Sequence, residues 1–227
     1  MLVTTLALHA ILGHRDPRYI ETMKYKVIGW RTNCRYFVVD AESTGTGGPG
    51  NELRFAADAE KNSVKIWKCE GETSDPKVDV QSKSWMDANP AVKGGKNVFV
   101  FRLPVFQGKR IPAAKSLTSF VNFRTGGKTY AIRLVTKEGP GLVGPDGPST
   151  EFKDHEVTAQ IQRDGGPWRT FYEERGYKSS VIAALISQVQ LSPNGKNVGV
   201  LIGRYRCMFY EGWNAGVERI ATATRLP

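Results

Sequence analysis

Three segments of this chain share one pattern, in which two runs of β-forming residues flank a tight turn. The segments span residues 27–39, 121–134 and 189–202. Each turn carries Asn or Gly followed closely by Lys or Arg, and Asn and Gly readily adopt the left-handed backbone that hairpin turns require. The pattern therefore predicts three β-hairpins. Their separations along the chain are unequal, which argues against a β-propeller, because propeller blades repeat at a near-constant period.

Other segments predict further strands and loops. Strand-like composition recurs at 63–69, 97–103, 157–163 and near Ile220. Residues 52–59 fit either a short helix or a strand. Residues 179–191 are apolar and fit a helix at their start, although 188–191 alternate as a strand does. Residues 139–148 contain four Gly and three Pro, and this composition predicts a loop.

These patterns predict a mainly β fold, an irregular antiparallel sandwich or barrel built from β-hairpins with few short helices. The sequence shows no long amphipathic helix and no alternation of strands with helices, which argues against an α/β enzyme fold. A chain of 227 residues with 40% hydrophobic residues is long enough to bury a core without metal or disulfide support. We expect residues 24–227 to form a single β-rich domain.

The N-terminal 23 residues allow three interpretations. Residues 1–13 are apolar and about as long as the core of a signal peptide, but they lack a basic leader and a clean cleavage site. They are too short to cross a bilayer as a helix, which needs about 20 apolar residues. The segment is the remnant of an export signal or an N-terminal arm of the fold, or translation starts at Met23.

Positive charge is concentrated in one stretch of the chain. The formal net charge is +10, and residues 88–137 contain no Asp or Glu. A surface of one sign attracts partners of the opposite sign, so we expect these residues to form a basic binding face. The alternative is that the cations only cover solvent-facing strand surfaces. The ten residues are Lys93, Lys96, Arg102, Lys109, Arg110, Lys115, Arg124, Lys128, Arg133 and Lys137.

Aromatic residues are interleaved with these cations, which raises the question of nucleic-acid binding. Proteins that bind single strands combine a basic groove with aromatic rings on which the bases stack. Alternation along a strand, however, normally directs the aromatic residues into the core and the cations outward. We therefore expect most of these rings to serve core packing.

Metal and cofactor sites are not predicted. Cys34, Cys69 and Cys207 allow at most one internal disulfide, and their spacing is not that of a zinc site. His155 begins a sequence like that of a zinc-protease helix, but Ala159 replaces the second metal-binding histidine.

Two further motifs are better explained by structure than by chemistry. Residues 126–129, Gly-Gly-Lys-Thr, end like a phosphate-binding loop, but a β run follows them where such a loop needs a helix. Glu211 lies beside Gly212 and Trp213, and hydrogen bonding in a turn or pairing with Arg219 explains it better than catalysis does. We expect these four residues to form a structural loop, and we expect no enzymatic activity.

The two ends of the chain resemble a bacterial family of predicted secreted proteins, known only as a domain of unknown function. The likeness rests on Ile28-Gly29-Trp30 with Arg35-Tyr36-Phe37, and on Phe209-Tyr210-Glu211-Gly212 with the segment that follows Arg219. The chain departs from the family at residues 31–34, where the family has Ser-Pro-Asp-Gly. The resemblance implies export and no known activity.

The sequence leads to two expectations about function. The first is an exported, non-catalytic binding or scaffold protein of the bacterial envelope, periplasmic or secreted, whose basic face engages an acidic protein or an anionic polymer. The second is a cytoplasmic β protein that binds nucleic acid. No segment is long enough to form a transmembrane helix.

Export is tested by the mature N-terminus of the protein expressed in a bacterial host. We expect fractionation to place the protein in the envelope, and mass spectrometry to show cleavage between residues 13 and 24. An intact N-terminus on a protein that fractionates with the cytoplasm would contradict export.

Overall fold

The computed structural model describes residues 20–21, 23–43, 51–70, 76–101, 116–144, 147–174, 181–208 and 214–227. Strands dominate these residues, and one helix, α1 (Pro76–Ala88), accompanies them. The strands are β1 (Ile20–Glu21), β2 (Met23–Arg31), β3 (Tyr36–Ser43), β4 (Asn51–Asp58), β5 (Ser63–Glu70), β6 (Ala91–Val92), β7 (Lys96–Val100), β8 (Ser116–Thr125), β9 (Lys128–Gly144), β10 (Gly147–Arg163), β11 (Arg169–Glu174), β12 (Val181–Leu191), β13 (Asn197–Met208) and β14 (Asn214–Arg225).

The strands form three sheets. The N-terminal sheet has the order β5-β4-β3-β2-β6, the four-stranded sheet the order β11-β10-β9-β8, and the central sheet the order β1-β14-β13-β12-β7. Neighbouring strands are antiparallel except β1 and β14, which pair in parallel. The predicted mainly β, antiparallel fold is confirmed, and its sheets pack face to face as in a sandwich.

The central sheet packs against another sheet on both of its faces. On one face Ile186 and Val200 belong to a core cluster with Ile132 of the four-stranded sheet. On the other face Leu201 and Ala221 join the N-terminal sheet in a second cluster. Strands buried on two faces need apolar or small residues at successive positions, and β12 to β14 have that composition. The core is therefore two apolar layers separated by one sheet.

Contact between the central and N-terminal sheets depends on a glycine. A Cβ atom at Gly199 of β13 would overlap the ring of Phe37 of β3, and Phe37 is completely buried. Trp30 packs beside Phe37 with 5.3 Å between ring centroids. The absence of a side chain at Gly199 therefore lets the largest aromatic pair of this layer approach the central sheet.

The three predicted hairpins are confirmed, and each lies in a different sheet. They are β2–β3 in the N-terminal sheet, β8–β9 in the four-stranded sheet and β12–β13 in the central sheet. The turns use the expected left-handed residues, with positive φ at Asn33, Gly126, Gly127 and Gly195. Local turn chemistry thus determines where each sheet reverses its chain direction.

Three segments differ from the sequence prediction or decide between its alternatives. The predicted loop at 139–148 is wrong, because β9 and β10 continue to Gly144 and from Gly147. Pro148 pairs with Val143, and register shifts between Pro148 and His155 absorb the irregular residues that follow, as β-bulges do. A helix was one alternative for residues 52–59 and 179–191, but residues 52–58 and 181–191 lie in strands.

Helix α1 covers the outer face of the N-terminal sheet. It begins at Pro76, a residue whose fixed φ suits the first helical position. The Trp85 ring lies 5.0 Å from that of Trp67 and 5.1 Å from that of Tyr36, and Val38 packs below them. The sequence patterns predicted no helix at these residues.

A charged cluster lies in the interior between the central and four-stranded sheets. The side chain of Arg204 is 11% exposed and pairs with Glu174 at 2.8 Å and with Glu218 at 3.2 Å. Tyr172 donates a hydrogen bond to Glu174 at 2.7 Å. Burial alone would lower the pKa of Arg204, but the carboxylates and Tyr172 raise it. Because buried charges must be paired, the cluster holds β11, β13 and β14 in one arrangement.

Replacing Gly199 with Ala tests the contact between the two sheets. We expect Gly199→Ala to lower the free energy of unfolding by about 2 kcal/mol, the typical cost of overfilling a packed core. The measurement is urea denaturation. In a Phe37→Leu background the same change should cost less, because the smaller side chain leaves space for the added methyl group. An unchanged unfolding midpoint in Gly199→Ala would contradict the contact.

Candidate functional site: a basic turn end

The hairpin turns of the three sheets lie together at one end of the molecule. Asn197, which follows the β12–β13 turn, donates a side-chain hydrogen bond to the Cys34 carbonyl in the β2–β3 turn at 2.7 Å. The amide of Arg225 donates to the carbonyl of Ala59 in the β4–β5 turn at 2.9 Å. Turns of the central and N-terminal sheets are therefore in direct contact.

The four-stranded sheet presents its turns at the same end. The amide of Thr129, beside the β8–β9 turn, donates to Asp164 in the β10–β11 turn at 2.9 Å. A Cβ atom at Gly195 in the β12–β13 turn would lie 3.4 Å from the Thr125 hydroxyl. We call this surface the turn end; it comprises residues 31–35, 58–62, 87–96, 124–129, 163–169, 192–197 and 225–227.

Exposed positive charge predominates at the turn end. Among the described residues of this surface, nine exposed cations face three exposed carboxylates. The carboxylates are Glu60, Asp87 and Asp164. The cations are Lys61, Lys93, Lys96, Arg124, Lys128, Arg163, Arg169, Lys196 and Arg225. Such an excess of one sign raises the local concentration of anionic partners.

The turn end contains four of the ten residues of the predicted basic face, namely Lys93, Lys96, Arg124 and Lys128. Arg133 and Lys137 lie elsewhere, on the outer face of the four-stranded sheet. Arg102, Lys109, Arg110 and Lys115 lie outside the described residues. The described part of the acid-free stretch is therefore divided between two surfaces.

Five cations of the turn end were not predicted from the sequence. They lie far from residues 88–137 or beside carboxylates, so no uninterrupted basic run marks them. The turns were the feature of the sequence that could have located these cations, since each predicted hairpin carries Lys or Arg next to its turn. The missed residues are Lys61, Arg163, Arg169, Lys196 and Arg225.

Ion pairs at the turn end differ in strength. Arg35 pairs with Asp58 at 2.6 Å, and the carboxylate is only 8% exposed. Burial alone would raise the pKa of Asp58, but hydrogen bonds from Arg35 and from the amides of Glu60 and Lys61 lower it below its ordinary value. This pair is structural, because it ties the β2–β3 turn to the β4–β5 turn.

The pairs around Asp164 are more open. Its carboxylate lies 3.9 Å from Lys128 and 3.8 Å from Arg163, and all three side chains are about half exposed. Exposed pairs of this kind contribute roughly 0–1 kcal/mol. One carboxylate shared by two exposed cations leaves positive charge available to a partner.

The remaining predicted residues fall into two groups. Glu211, Gly212 and Trp213 lie outside the described residues, so their predicted loop stays a prediction. Arg219 is placed: its guanidinium lies 5.4 Å from the ring centroid of Tyr25, and its backbone amide donates to the Tyr25 hydroxyl at 2.8 Å. Arg219 therefore connects the central sheet to β2.

The residues that the sequence analysis considered as metal ligands take structural positions in the fold. Residue 155 lies in strand β10, whereas a zinc-protease motif requires a helix. Cys34 is buried and unbonded. Within the described residues, no three His, Cys, Asp or Glu side chains are grouped as metal ligands, and no helix has the length and hydropathy needed to span a bilayer.

Comparison with family models, curated proteins and solved structures gives no match. The resemblance of the chain ends to the family of predicted secreted proteins therefore stays a prediction.

The pH dependence of stability tests the pairing of Asp58. Because its pKa is lower in the folded than in the unfolded state, the pair stabilises the fold above the unfolded value of about 3.9 and loses its effect as the pH falls through the folded value. We expect Asp58→Asn to lower the free energy of unfolding at pH 7 by about 2 kcal/mol.

The difference between Asp58→Asn and the unmodified protein should shrink below about pH 4, as measured by urea denaturation across the pH range. Asp164→Asn is the matched control, because its carboxylate is exposed and should change stability little. The loss of unfolding free energy in Asp58→Asn could instead stay constant down to the pH at which acid unfolds the protein. That result would show that the carboxylate does not titrate as described.

Proposed function

We propose that this chain is a non-catalytic binding or scaffold protein of the bacterial envelope that engages an acidic protein or an anionic polymer through its turn end. The observation that carries the proposal is the excess of nine exposed cations over three carboxylates on this one surface. The exposed side chains of the turn end therefore carry six more positive than negative charges.

The spacing of these cations favours an extended partner. They come from turns of all three sheets and cover one end of the molecule. Each exposed pair is worth little by itself, so useful affinity requires many simultaneous contacts. A polymer or an acidic protein surface supplies them, and release of its counterions adds to binding.

The backbone of this surface is well supported. Hydrogen bonds join the Cys34 turn to Asn197 and Ala59 to Arg225, and Arg35 is paired with Asp58. Binding to a rigid surface avoids the entropic cost of ordering loops on association. The turn end is thus a preformed arrangement of charges.

Nucleic acid is the other anionic polymer that the sequence suggested. Two aromatic residues of the basic stretch are unsuited to stacking on bases, because Phe123 and Tyr130 are buried and stack on each other at 5.5 Å. The turn end therefore supports binding through charge more than through base stacking. Oligonucleotide binding is one outcome of the experiment below.

Charge reversal at the turn end tests the proposal. We expect the unmodified protein to bind heparin, polyglutamate or an oligonucleotide with affinity that falls as salt rises. The variant Arg124→Glu/Lys196→Glu should bind more weakly and lower the slope of log affinity against log salt by about two, one unit for each lost contact. Isothermal titration at several salt concentrations measures both quantities.

The matched control is Lys24→Glu/Lys26→Glu, which makes the same change in net charge on exposed residues of β2, away from the turn end. Equal weakening by both variants would show that net charge alone drives binding and would contradict the proposal. Tight binding that is restricted to oligonucleotides would favour the nucleic-acid alternative.

A further inference from the structure

An open groove lies on the outer face of the four-stranded sheet, separate from the turn end. Its volume is about 560 Å³, and all four strands contribute side chains to it. Pockets that bind small ligands typically measure roughly 300–1,000 Å³. The outward residues of the strands line it, while the inward residues, such as Ile132 and Ile161, belong to the core.

A row of hydrogen-bonded side chains crosses the groove. Arg133 of β9 lies opposite Gln160 of β10, which in turn pairs with Thr170 of β11. The Arg133 Nε donates to Gln160 Oε1 at 2.7 Å, and Gln160 Nε2 donates to the Thr170 hydroxyl at 3.0 Å. Because the amide group is engaged at both ends, the row holds the guanidinium in one orientation.

Aromatic rings border this row. The guanidinium of Arg133 lies 4.2 Å from the ring centroid of Trp168, within the range of a cation–π contact. The ring of Phe120, which lies opposite Arg133 on β8, is 6.4 Å from that of Trp168. Phe120 thus faces outward, in contrast to the buried Phe123 three residues later.

The charges of the groove are balanced. Its cations are Arg133 and Lys137, and its carboxylates are Glu156 and Glu173. Lys137 and Glu156 are direct cross-strand neighbours. The turn end carries a threefold excess of cations, whereas the groove carries two charges of each sign. A strongly anionic ligand would therefore meet as much repulsion as attraction here.

This combination suits a ligand whose groups both donate and accept hydrogen bonds. Carboxylates only accept, guanidinium and ammonium groups only donate, and the Thr and Gln side chains do both. A hydroxyl group can satisfy either kind of neighbour, so a polyhydroxylated ligand leaves neither Glu156 nor Lys137 unpaired when water is displaced. Phe120 and Trp168 offer apolar surface to the C–H faces of a sugar ring.

We propose that this groove binds a neutral oligosaccharide. The site is independent of the cations of the turn end, since it uses none of them and takes a ligand of different charge. Arg133 and the carboxylate of Glu156 orient the hydroxyl groups, and Trp168 with Phe120 supports the ring.

The test is titration of the purified full chain with neutral cellohexaose, mannohexaose and chitohexaose, and with anionic hexagalacturonate. Isothermal titration measures affinity, and NMR amide shifts locate the site. We expect at least one neutral hexasaccharide to bind, to shift the amides of β8 to β11, and to keep its affinity as NaCl rises from about 50 to about 500 mM.

Two variants localise the site. Glu156→Gln should weaken binding about tenfold, as expected for loss of a charged hydrogen-bond acceptor, and Trp168→Ala should weaken it at least as much. Glu42→Gln, an equivalent change at an exposed position of β3, is the matched control and should leave the affinity unchanged. Circular dichroism shows whether each variant is folded.

The proposals for the groove and for the turn end are tested independently of each other. Arg124→Glu/Lys196→Glu should leave oligosaccharide binding intact, and Glu156→Gln should leave polyanion binding intact. Binding of hexagalacturonate alone would overturn the proposal for the groove. So would the lack of binding by every neutral hexasaccharide at about 10 mM, or an affinity that Glu156→Gln and Trp168→Ala leave unchanged.

Discussion

Burial of the central sheet on both faces is the constraint on which the rest of the structure depends. One face supplies Val200 to the core shared with the four-stranded sheet, and the other supplies Leu201 to the core shared with the N-terminal sheet. Both faces must therefore be apolar, and the face toward the N-terminal sheet must also carry small residues. Gly199 and Ala223 meet that need where the Phe37 ring approaches. Removal of apolar surface from water at both interfaces supplies most of the driving force for this arrangement.

The stacking of three sheets also determines where charge is placed. The five described hairpin turns that join β2–β3, β4–β5, β8–β9, β10–β11 and β12–β13 lie at the same end. Cations beside these turns are excluded from the core because an unpaired buried charge is costly. They are therefore collected on one surface although they are distant in sequence. The turn end is a consequence of topology, and the groove beside it has a different, balanced composition.

Local patterns were sufficient to predict much of the fold. The hairpins followed from turn residues such as Asn33 and Gly126, because backbone conformation there depends on the residue itself. The same reasoning failed at residues 139–148, where glycine and proline were expected to end the strands. Pairing between the long neighbouring strands β9 and β10 outweighed the local preference for a loop there, and register shifts accommodated the irregular residues. Helix α1 was missed because few of its residues are apolar, and its packing depends on Trp85.

The sequence by itself determined the mainly β character, the three hairpins and the excess of positive charge, since these follow from residue type and from spacing within a few residues. Tertiary structure alone decided which cations share a surface. It separated Arg133 from Arg124, although both belong to one acid-free stretch. It also placed Lys61 and Arg225 on one surface, although most of the chain lies between them. The physical reason is that a strand places residues on two faces and at two ends, and only the packing of the sheets specifies which face is covered and which ends meet.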